Sequence, residues 1–509
     1  MSLTGKKFAH AALSVTLVVF LSKVVGFIRD MICAAYYGTG AEYDAFVSAY
    51  GLFYVPVLLI SSCITSTIVP MYIDARDNEG PLAANRFANS AVNVSFFVGA
   101  AASLLMLFFA QPLTKIVYPG FSEEKTALTA HLMQIMLPSL AFVAVSIALS
   151  AILNANKRFV ASQLTGFPLS FSWILATLLF SERFGIRAQA WGTFAAGLLT
   201  ILVLAPFLRG RMQYTLGIDR NDPRLRRMLL LAVPAMLSMA VNELNHLIDR
   251  SIASSLNTGD ISAMNYAFRL ITFALGILST PVDTVLFSGM SEKAAAKDIA
   301  GVKALSMESM EVQAMFALPA TAIGIALSRD LIELVYQRGR FDAQSTYITS
   351  AIFSMYLAGL FFFTLRDMLS RTFHSMKDTR TPLIMACATV AVNVVLNLLL
   401  SRVMGAPGLA LATSIASVVG VLLLFISLRQ RCGALHAKAS FIEIGKMALA
   451  SAVAYGAARL LDDLIHWHGA LPLIAKLLLV GIISLSVYGG LLYALRVKRL
   501  SFLKMLVKR

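Results

Sequence analysis

Apolar segments of about 20 residues recur from one end of the chain to the other, separated by short polar segments. Each is long enough to cross the roughly 30 Å hydrocarbon core of a bilayer as an α-helix. These segments do not alternate apolar and polar residues with a period of two, which argues against a transmembrane β-barrel. The pattern predicts an all-α polytopic membrane protein.

Composition agrees with this fold class. Of the 509 residues, 58% are hydrophobic and only 14% are charged, whereas a soluble chain carries about 25% charged residues. We predict fourteen transmembrane helices. They lie near 8–36, 43–73, 84–110, 126–153, 160–182, 187–208, 226–256, 261–290, 302–327, 343–373, 381–401, 407–430, 440–463 and 470–495.

The net charge of +16 could indicate a nucleic-acid partner, but no basic domain exists. When the loops are assigned alternately to the two sides, 26 Lys and Arg fall on one side and 8 on the other. The smaller set is Lys115, Lys125, Arg183, Arg187, Arg329, Arg338, Arg340 and Arg402. By the positive-inside rule, both termini are predicted to be cytoplasmic. We therefore expect no nucleic-acid partner.

Short motifs recur at an offset of about 220 residues. The pairs are LRGR 208–211 with LRQR 428–431, Lys157 with Lys377, Gly185 with Gly405, VYPGF 117–121 with VYQRGRF 335–341, and YDAF 43–46 with NYAF 265–268. We predict an N-lobe over 1–215 and a pseudo-symmetric C-lobe over 216–432, with six helices each. Residues 433–509 would add two C-terminal helices and a basic tail. Parallel repeats of this kind are typical of transporters, with the substrate path between the lobes.

Charges interrupt the first span at Lys23, Arg29 and Asp30, with Gly26 between them inviting a bend. An intramembrane cation costs about 2.5–3.5 kcal/mol on insertion scales, so it must face protein or a wet cavity. Lys23 and Asp30 are seven residues apart and share a helix face, so Asp30 could simply neutralise Lys23. Alternatively, Lys23, Arg29 and Arg269 of the second half line a positive cavity whose guest is an anion.

Three further cations, Lys446, Arg459 and Lys476, lie near predicted helix ends. Long side chains there can reach the membrane interface, so no role is predicted for them.

Polar residues of the second half form another candidate site. Asp249 lies in the seventh span, Asn393 and Asn397 are four residues apart on the eleventh, and Thr413 is on the twelfth. A carboxylate with amide and hydroxyl oxygens suits a hard cation such as Na⁺. Interhelical hydrogen bonding explains the same residues without an ion.

No enzyme signature is present: the chain has no GxSxG, HExxH or P-loop motif. The four cysteines have no CxxC spacing, so they read as small hydrophobic residues. We therefore expect neither an enzyme nor a resident cofactor beyond the possible Na⁺.

Several stretches together resemble the MurJ (MviN) lipid II flippases of the multidrug/oligosaccharidyl-lipid/polysaccharide exporter superfamily. They are SKVVGFIRD 22–30 followed by YDAF, PGF 119–121, PRLRRMLLLAVPAML 223–237, LIDRSIAS 247–254, NYAFRL 265–270, RGRFDAQST 338–346 and MKDTRTPL 376–383. The resemblance covers essentially the whole chain.

The resemblance implies a fourteen-helix fold with a lipid groove formed by the last two helices. It implies a bacterial cytoplasmic-membrane protein that acts as a monomer among membrane lipids. Its function would be to move lipid II by alternating access, driven by the membrane potential, a cation gradient or both. Residues implied to handle the headgroup are Lys23, Arg29, Asp30, Asp44 and Arg269, and those implied for Na⁺ are Asp249, Asn393, Asn397 and Thr413.

This sequence departs from the family pattern at three places. Lys23 stands where many members have Arg, Asn397 stands where some have Asp, and the second span lacks an Arg that many members carry. A flippase for another polyprenyl-diphosphate oligosaccharide is therefore an alternative. So are a MATE-like drug/cation antiporter and, more distantly, a membrane enzyme acting on polyprenyl lipids.

Overall fold

The computed structural model describes residues 3–210, 212–219, 222–278, 280–435, 437–465, 467 and 469–499. Those residues form helices and connecting loops, with no strand among them. The helices are α1 (Leu3–Tyr37), α2 (Ala41–Glu79), α3 (Pro81–Phe108), α4 (Ala110–Val117), α5 (Glu123–Met136), α6 (Ser139–Ala155), α7 (Phe159–Gln163), α8 (Gly166–Phe184), α9 (Arg187–Leu208), α10 (Pro223–Ala253), α11 (Asp260–Leu278), α12 (Thr280–Ala295), α13 (Ile299–Ala326), α14 (Ser328–Tyr336), α15 (Ala343–Ser375), α16 (Arg380–Met404), α17 (Ala406–Cys432), α18 (Lys438–Leu464) and α19 (Ala470–Ala494).

The predicted membrane fold is confirmed. In the described part of the chain, 11 helices are long and apolar enough to span a bilayer, or 12 if α5 and α6, bent by 46°, form one span. These overlap twelve of the predicted segments, of which the eighth, 261–290, covers both α11 and most of α12. Helices α1 and α10, with 35 and 31 residues, coincide with the other two. The count of fourteen itself stays a prediction.

The chain forms two compact units, the first comprising Met1–Ser262 with Arg338–Phe341 and the second Ala263–Gln337 with Asp342–Arg509. In the first unit, α2 packs against α3, α5, α6 and α10, and α8 packs against α1 and α9. In the second, α15 and α16 pack on α17, and α18 joins α13 to α19. The predicted division at 215 and 432 follows the sequence repeat and stays a prediction; residues 500–509 of its basic tail lie outside the described residues.

Backbone conformation repeats at the offset read from the sequence. Lys157 and Lys377 both have positive φ, at 59° and 61°, although side chains rarely adopt this left-handed conformation. Gly185 and Gly405 end α8 and α16 with φ of 55° and 63°. Each pair is 220 residues apart, so the two halves share loop geometry as well as motifs.

One tertiary hydrogen bond is repeated as well. The hydroxyl of Tyr118 donates to the carbonyl of Ser48 at 3.1 Å, and that of Tyr336 donates to the carbonyl of Tyr266 at 3.4 Å. The donors and the acceptors are both 218 residues apart. Each bond ties the end of a short helix, α4 or α14, to the long helix beside it, so the repeat extends to packing within each half.

Helix α15 begins at a carboxylate cap. Asp342 Oδ1 accepts hydrogen bonds from the backbone N–H and the hydroxyl of Ser345, both at 2.8 Å. The N–H groups at a helix start have no partner within the helix, and an Asp cap satisfies one of them. The backbone N–H of Ser345 holds the pKa of Asp342 below its usual value.

We expect Asp342→Ala to lower the free energy of unfolding by about 1 kcal/mol at neutral pH, because the cap is lost. The folded-state pKa of Asp342 is depressed, so the charged cap contributes its stability above about pH 4 and loses it as the pH falls through the folded pKa. Thermal unfolding in detergent between pH 3 and 7 measures this, with the exposed Asp463→Ala as control. An equal destabilisation by both variants would contradict the assignment.

Candidate functional site

Arg29 is buried within α1, with 7% of its surface exposed. Its Nε and Nη2 atoms donate to Asp30 Oδ1 at 2.9 and 2.7 Å, and Nη1 donates to Ser170 Oγ of α8 at 3.4 Å. A guanidinium removed from water needs a counter-charge and hydrogen-bond acceptors. Asp30 supplies the charge from the same helix, so the pair forms one preassembled polar group.

An aromatic ring also holds the guanidinium. The central carbon of Arg29 lies 4.8 Å from the ring centroid of Trp173, within the range of a cation–π interaction. The indole N–H of Trp173 donates to Thr193 Oγ1 at 2.9 Å, and Tyr50 packs edge-on against the ring at 5.2 Å. The sequence analysis missed Trp173. The available signal was that this tryptophan lies in a predicted span together with Ser170, the other residue of α8 that contacts Arg29.

The structure corrects one of the two alternatives considered for the first span, in which Asp30 neutralises Lys23. Asp30 pairs with its neighbour Arg29, whereas the sequence spacing allowed Lys23 as its partner. The long Arg side chain reaches the carboxylate of the adjacent residue, which a comparison of Cβ directions does not anticipate. Lys23 is exposed, and Gly26 lies within the continuous helix α1, where a bend stays a prediction.

Asp44 is completely buried and accepts four hydrogen bonds. Lys125 Nζ and the N–H of Gly259 reach Oδ2 at 2.8 and 2.7 Å, while the N–H and hydroxyl of Ser262 reach Oδ1 at 2.8 and 2.5 Å. The carboxylate therefore caps the start of α11, where a negative charge is favoured. In this conformation it positions a helix; its substrate-binding role stays a prediction.

Arg269 belongs to the second unit and lies on α11, where it is half-buried. Arg29 belongs to the first unit. The predicted cavity shared by Lys23, Arg29 and Arg269 therefore stays a prediction.

Three of the four residues predicted for Na⁺ form a hydrogen-bonded chain in the second unit. Asn397 Nδ2 donates to Asn393 Oδ1 at 3.0 Å, Asn393 Nδ2 donates to Thr413 Oγ1 at 3.4 Å, and Thr413 donates to the carbonyl of Leu409 at 3.1 Å. Asp249 is buried on α10 of the first unit. Both Asn side chains are buried, so this array serves either interhelical bonding or an ion.

An uncharged cavity of about 350 Å³ lies inside the first unit, between α2, α6, α8 and α9. Tyr50 and Thr193, which both contact Trp173, are among its lining residues. The hydroxyls of Thr65, Thr165 and Thr200 line it too, and each donates to a backbone carbonyl three or four residues earlier. Their oxygens are left as acceptors, so this cavity can accept hydrogen bonds from an uncharged polar group.

Lys476 differs from its predicted position at the membrane interface. It is buried, with 6% exposed, and its Nζ lies 2.7 Å from Asp330 Oδ2 and 2.6 Å from Asp462 Oδ1. This ion cluster ties α19 to α14 and α18. Sequence reasoning treated Lys476 by itself, whereas Asp462 comes from the preceding helix and Asp330 from a distant part of the chain.

Buried charges inside membrane-spanning helices are typical of membrane proteins with a functional site in the bundle, and solved structures share this fold. A structure described as "Lipid II flippase MurJ, inward closed conformation" matches with a TM-score of 0.79 and 24% identity, covering 94% of this chain and 98% of that one. An inward-facing MATE family transporter of the MOP superfamily matches with a TM-score of 0.70 and 14% identity, covering 84% and 99%. At these identities the likeness concerns the fold.

Sequence relatives define the family. The family model "Lipid II flippase MurJ" matches residues 33–477. A probable lipid II flippase MurJ from Rhizobium meliloti (strain 1021) is 30% identical over 512 residues, covering 96% of this chain and 94% of the relative. One from Thermotoga maritima is 29% identical over 445 residues, covering 87% and 88%. The chain belongs to the MurJ family of lipid II flippases, which are multi-span inner-membrane transporters and not enzymes, as predicted.

We expect Asp44→Asn to lower the free energy of unfolding by about 3 kcal/mol, because the largely buried Lys125 loses the carboxylate with which it forms its ion pair. Adding Lys125→Met should recover part of the loss. Thermal unfolding of the two single variants and the double variant measures the coupling, with the exposed pair partner Asp77→Asn as control. Unchanged unfolding together with lost transport would instead make Asp44 a ligand contact.

Proposed function

We propose that this chain moves lipid II, a polyprenyl-diphosphate-linked peptidoglycan precursor, from the cytoplasmic to the outer leaflet of the cytoplasmic membrane. The observation that carries the proposal is the match to the lipid II flippase family over residues 33–477. Relatives that carry the same name align along almost the whole chain. The cargo's diphosphate cannot cross hydrocarbon unaided, and this defines what the site has to do.

The diphosphate is bound through cations, in this proposal Lys23 and Arg29 of α1 together with Arg269 of α11. Asp30 uses the Nε and Nη2 edge of Arg29 and leaves the Nη1 side toward Ser170. A phosphate oxygen that replaces the hydroxyl of Ser170 gains a charge-assisted hydrogen bond, which is stronger than the neutral one it displaces. Asp30 keeps the guanidinium neutralised and oriented when no substrate is bound. Asp44 contributes by fixing the start of α11.

Transport proceeds by alternating access of two six-helix lobes, with helices thirteen and fourteen accommodating the polyprenyl tail. Both termini are cytoplasmic, in agreement with the excess of Lys and Arg on that side. The chain acts as a monomer. An inside-negative potential favours outward movement of the anion by about 2.3 kcal/mol per charge per 100 mV.

A flippase for another polyprenyl-diphosphate oligosaccharide would share the diphosphate chemistry. The specific observation in its favour is the second span, which carries no Arg. Comparing lipid II with a lipid-linked oligosaccharide of a different sugar in the same vesicles separates the two cargoes.

We expect Arg29→Ala and Arg269→Ala each to lower lipid II flipping by about tenfold or more, because a hydrogen-bonded charge on the phosphates is lost. Asp30→Asn is combined with Arg29→Ala, so that no carboxylate is left buried without its partner. The assays are lipid II accessibility in reconstituted vesicles and complementation of a flippase-depleted bacterium. The control is the exposed Arg402→Ala.

If both Arg29→Ala and Arg269→Ala rescue growth at normal expression, the cavity role is wrong. Loss of flipping with normal unfolding and normal membrane levels supports it.

Na⁺ is proposed as a coupling ion held by Asp249, Asn393, Asn397 and Thr413. The hydrogen-bonded array of the last three supports the proposal, since it gathers amide and hydroxyl oxygens on α16 and α17. A cation bound in one conformation would stabilise that conformation and reset the transporter after release of the lipid.

We expect flipping to fall when Na⁺ is replaced by choline, and we expect Asn397→Leu to lose this dependence because an amide ligand is removed. Thr389→Val on the same helix is the control, since the Thr389 hydroxyl is buried and donates to its own helix. Flipping by the unmodified chain that is equal in Na⁺ and choline would leave the array as interhelical hydrogen bonding.

A further inference from the structure

Three asparagines recur at four-residue intervals on α3: Asn85, Asn89 and Asn93. Residues four apart lie on one face of a helix. Asn89 and Asn93 are buried, although α3 is a candidate membrane span. We call these three residues, with Ser90, the asparagine ladder.

The ladder binds the backbone of the segment 212–219, which lies between α9 and α10. Asn85 makes two hydrogen bonds with the backbone of Gln213. Its Oδ1 accepts from the N–H of Gln213 at 2.9 Å, and its Nδ2 donates to the carbonyl of Gln213 at 3.1 Å. Asn89 Nδ2 donates to the same carbonyl at 2.8 Å and Asn89 Oδ1 accepts from the N–H of Thr215 at 3.1 Å.

Two further residues complete the ladder. Asn93 Nδ2 donates to the carbonyls of Thr215 and Gly217 at 3.0 and 2.9 Å, and its Oδ1 accepts from the hydroxyl of Tyr214 at 2.8 Å. Ser90 Oγ accepts from the N–H of Asp219 at 2.9 Å. All but the bond from Tyr214 use backbone groups of the segment.

The two periodicities match. Four residues of an α-helix rise about 6.0 Å, and two residues of an extended chain rise about 6.6 Å. Successive rungs of the ladder can therefore meet the backbone at 213, 215 and 217. An extended chain is recognised by its backbone, as it is at a sheet edge, but here helix side chains provide the partners.

The docked segment buries little of its own side chains. Tyr214 is 58% exposed and Leu216 is 90% exposed. Its attachment therefore depends on polar bonds and not on apolar burial. The net gain from one such bond is of the same order as the conformational entropy lost by fixing one residue, so docking and release are closely balanced.

Docking also limits the following helix. Asp219 is the last residue of the segment that is bonded to the ladder, and α10 begins four residues later, at Pro223. Four residues of extended chain span about 14 Å. When the segment is released, the start of α10 at Pro223 is held only by the chain that leaves α9 at Leu208. These fifteen residues span up to about 50 Å. The ladder therefore decides how far the start of α10 can move.

We propose that the asparagine ladder is a binding site for extended peptide backbone, that residues 212–219 are its ligand, and that this segment is released and docked again in each transport cycle. The cyclic part rests on the proposed function. In the docked state α10 starts beside α2, where Arg224 Nη2 lies 3.1 Å from Glu79 Oε2 and α10 packs along α2. Release frees this end of α10 to leave α2.

Docking is tested by hydrogen exchange of the full chain in lipid nanodiscs. Replacing Asn89 and Asn93 by Leu keeps side-chain size and removes five of the eight bonds to the segment. We expect exchange at Thr215 and Asp219 to rise by about tenfold or more. Asn78→Leu is the matched control, since Asn78 is exposed and bonded only to Asp74 among the described contacts. Unchanged exchange in the ladder variant would overturn the binding site.

Release of the segment is tested by a reversible covalent cross-link that holds it docked. Leu82 of α3 and Gln213 are exposed, and both are replaced by Cys in a chain whose own four cysteines are Ala. A cleavable bis-maleimide joins them without altering the ladder. We expect the joined form to flip lipid II about tenfold more slowly than each single-Cys form, with recovery after cleavage.

A joined form that flips lipid II at the unjoined rate would show that the segment stays docked throughout, and would overturn the cyclic part. If no form of the chain, joined or not, moves lipid II, the proposed function fails. The exchange experiment still decides the binding site in that case.

Discussion

Hydrocarbon offers no hydrogen bonds, so each polar group that α-helices carry into a bilayer must find its partner inside the protein. Several buried polar groups of the described residues follow this constraint. Arg29 is matched by Asp30 and Trp173. Lys476 lies between two carboxylates. The asparagines of α3 bind backbone and α2's Asp44 is fully hydrogen-bonded. A charged or amide residue in a span therefore indicates a partner inside the protein as much as it indicates a ligand.

Sequence periodicity predicted the helices well, because a span depends on local composition alone. The repeat was also readable, since loops that need a left-handed residue keep Lys157 and Lys377, and Gly185 and Gly405, at one offset. A repeated tyrosine hydrogen bond shows that the offset has a packing meaning. Bundle helices are largely specified by their own residues, whereas the partners of their side chains are not.

The candidate site was less predictable for that reason. Helical spacing allowed Asp30 to neutralise Lys23, but in the structure the carboxylate pairs with Arg29, its neighbour in the sequence. Lys125 read as a loop cation until the fold brought it to Asp44, 81 residues away. The asparagine ladder was visible as a four-residue spacing, yet nothing in the sequence named a chain segment as its partner. Contacts between distant segments determine these pairings, and such contacts cannot be read from a single sequence.

The buried polar contacts fall into two kinds, and a transporter needs both. Arg29 and Asp30 share one helix, so a movement of that helix as a rigid body keeps them paired and keeps the cost of the buried charge low. The contacts of Asp44 and of the asparagine ladder join different segments, so moving the segments breaks them. Contacts of the first kind allow charge to move within the membrane. Contacts of the second kind give a conformation its stability. Those of the asparagine ladder can break and form again, because they are hydrogen bonds to a segment with little apolar burial.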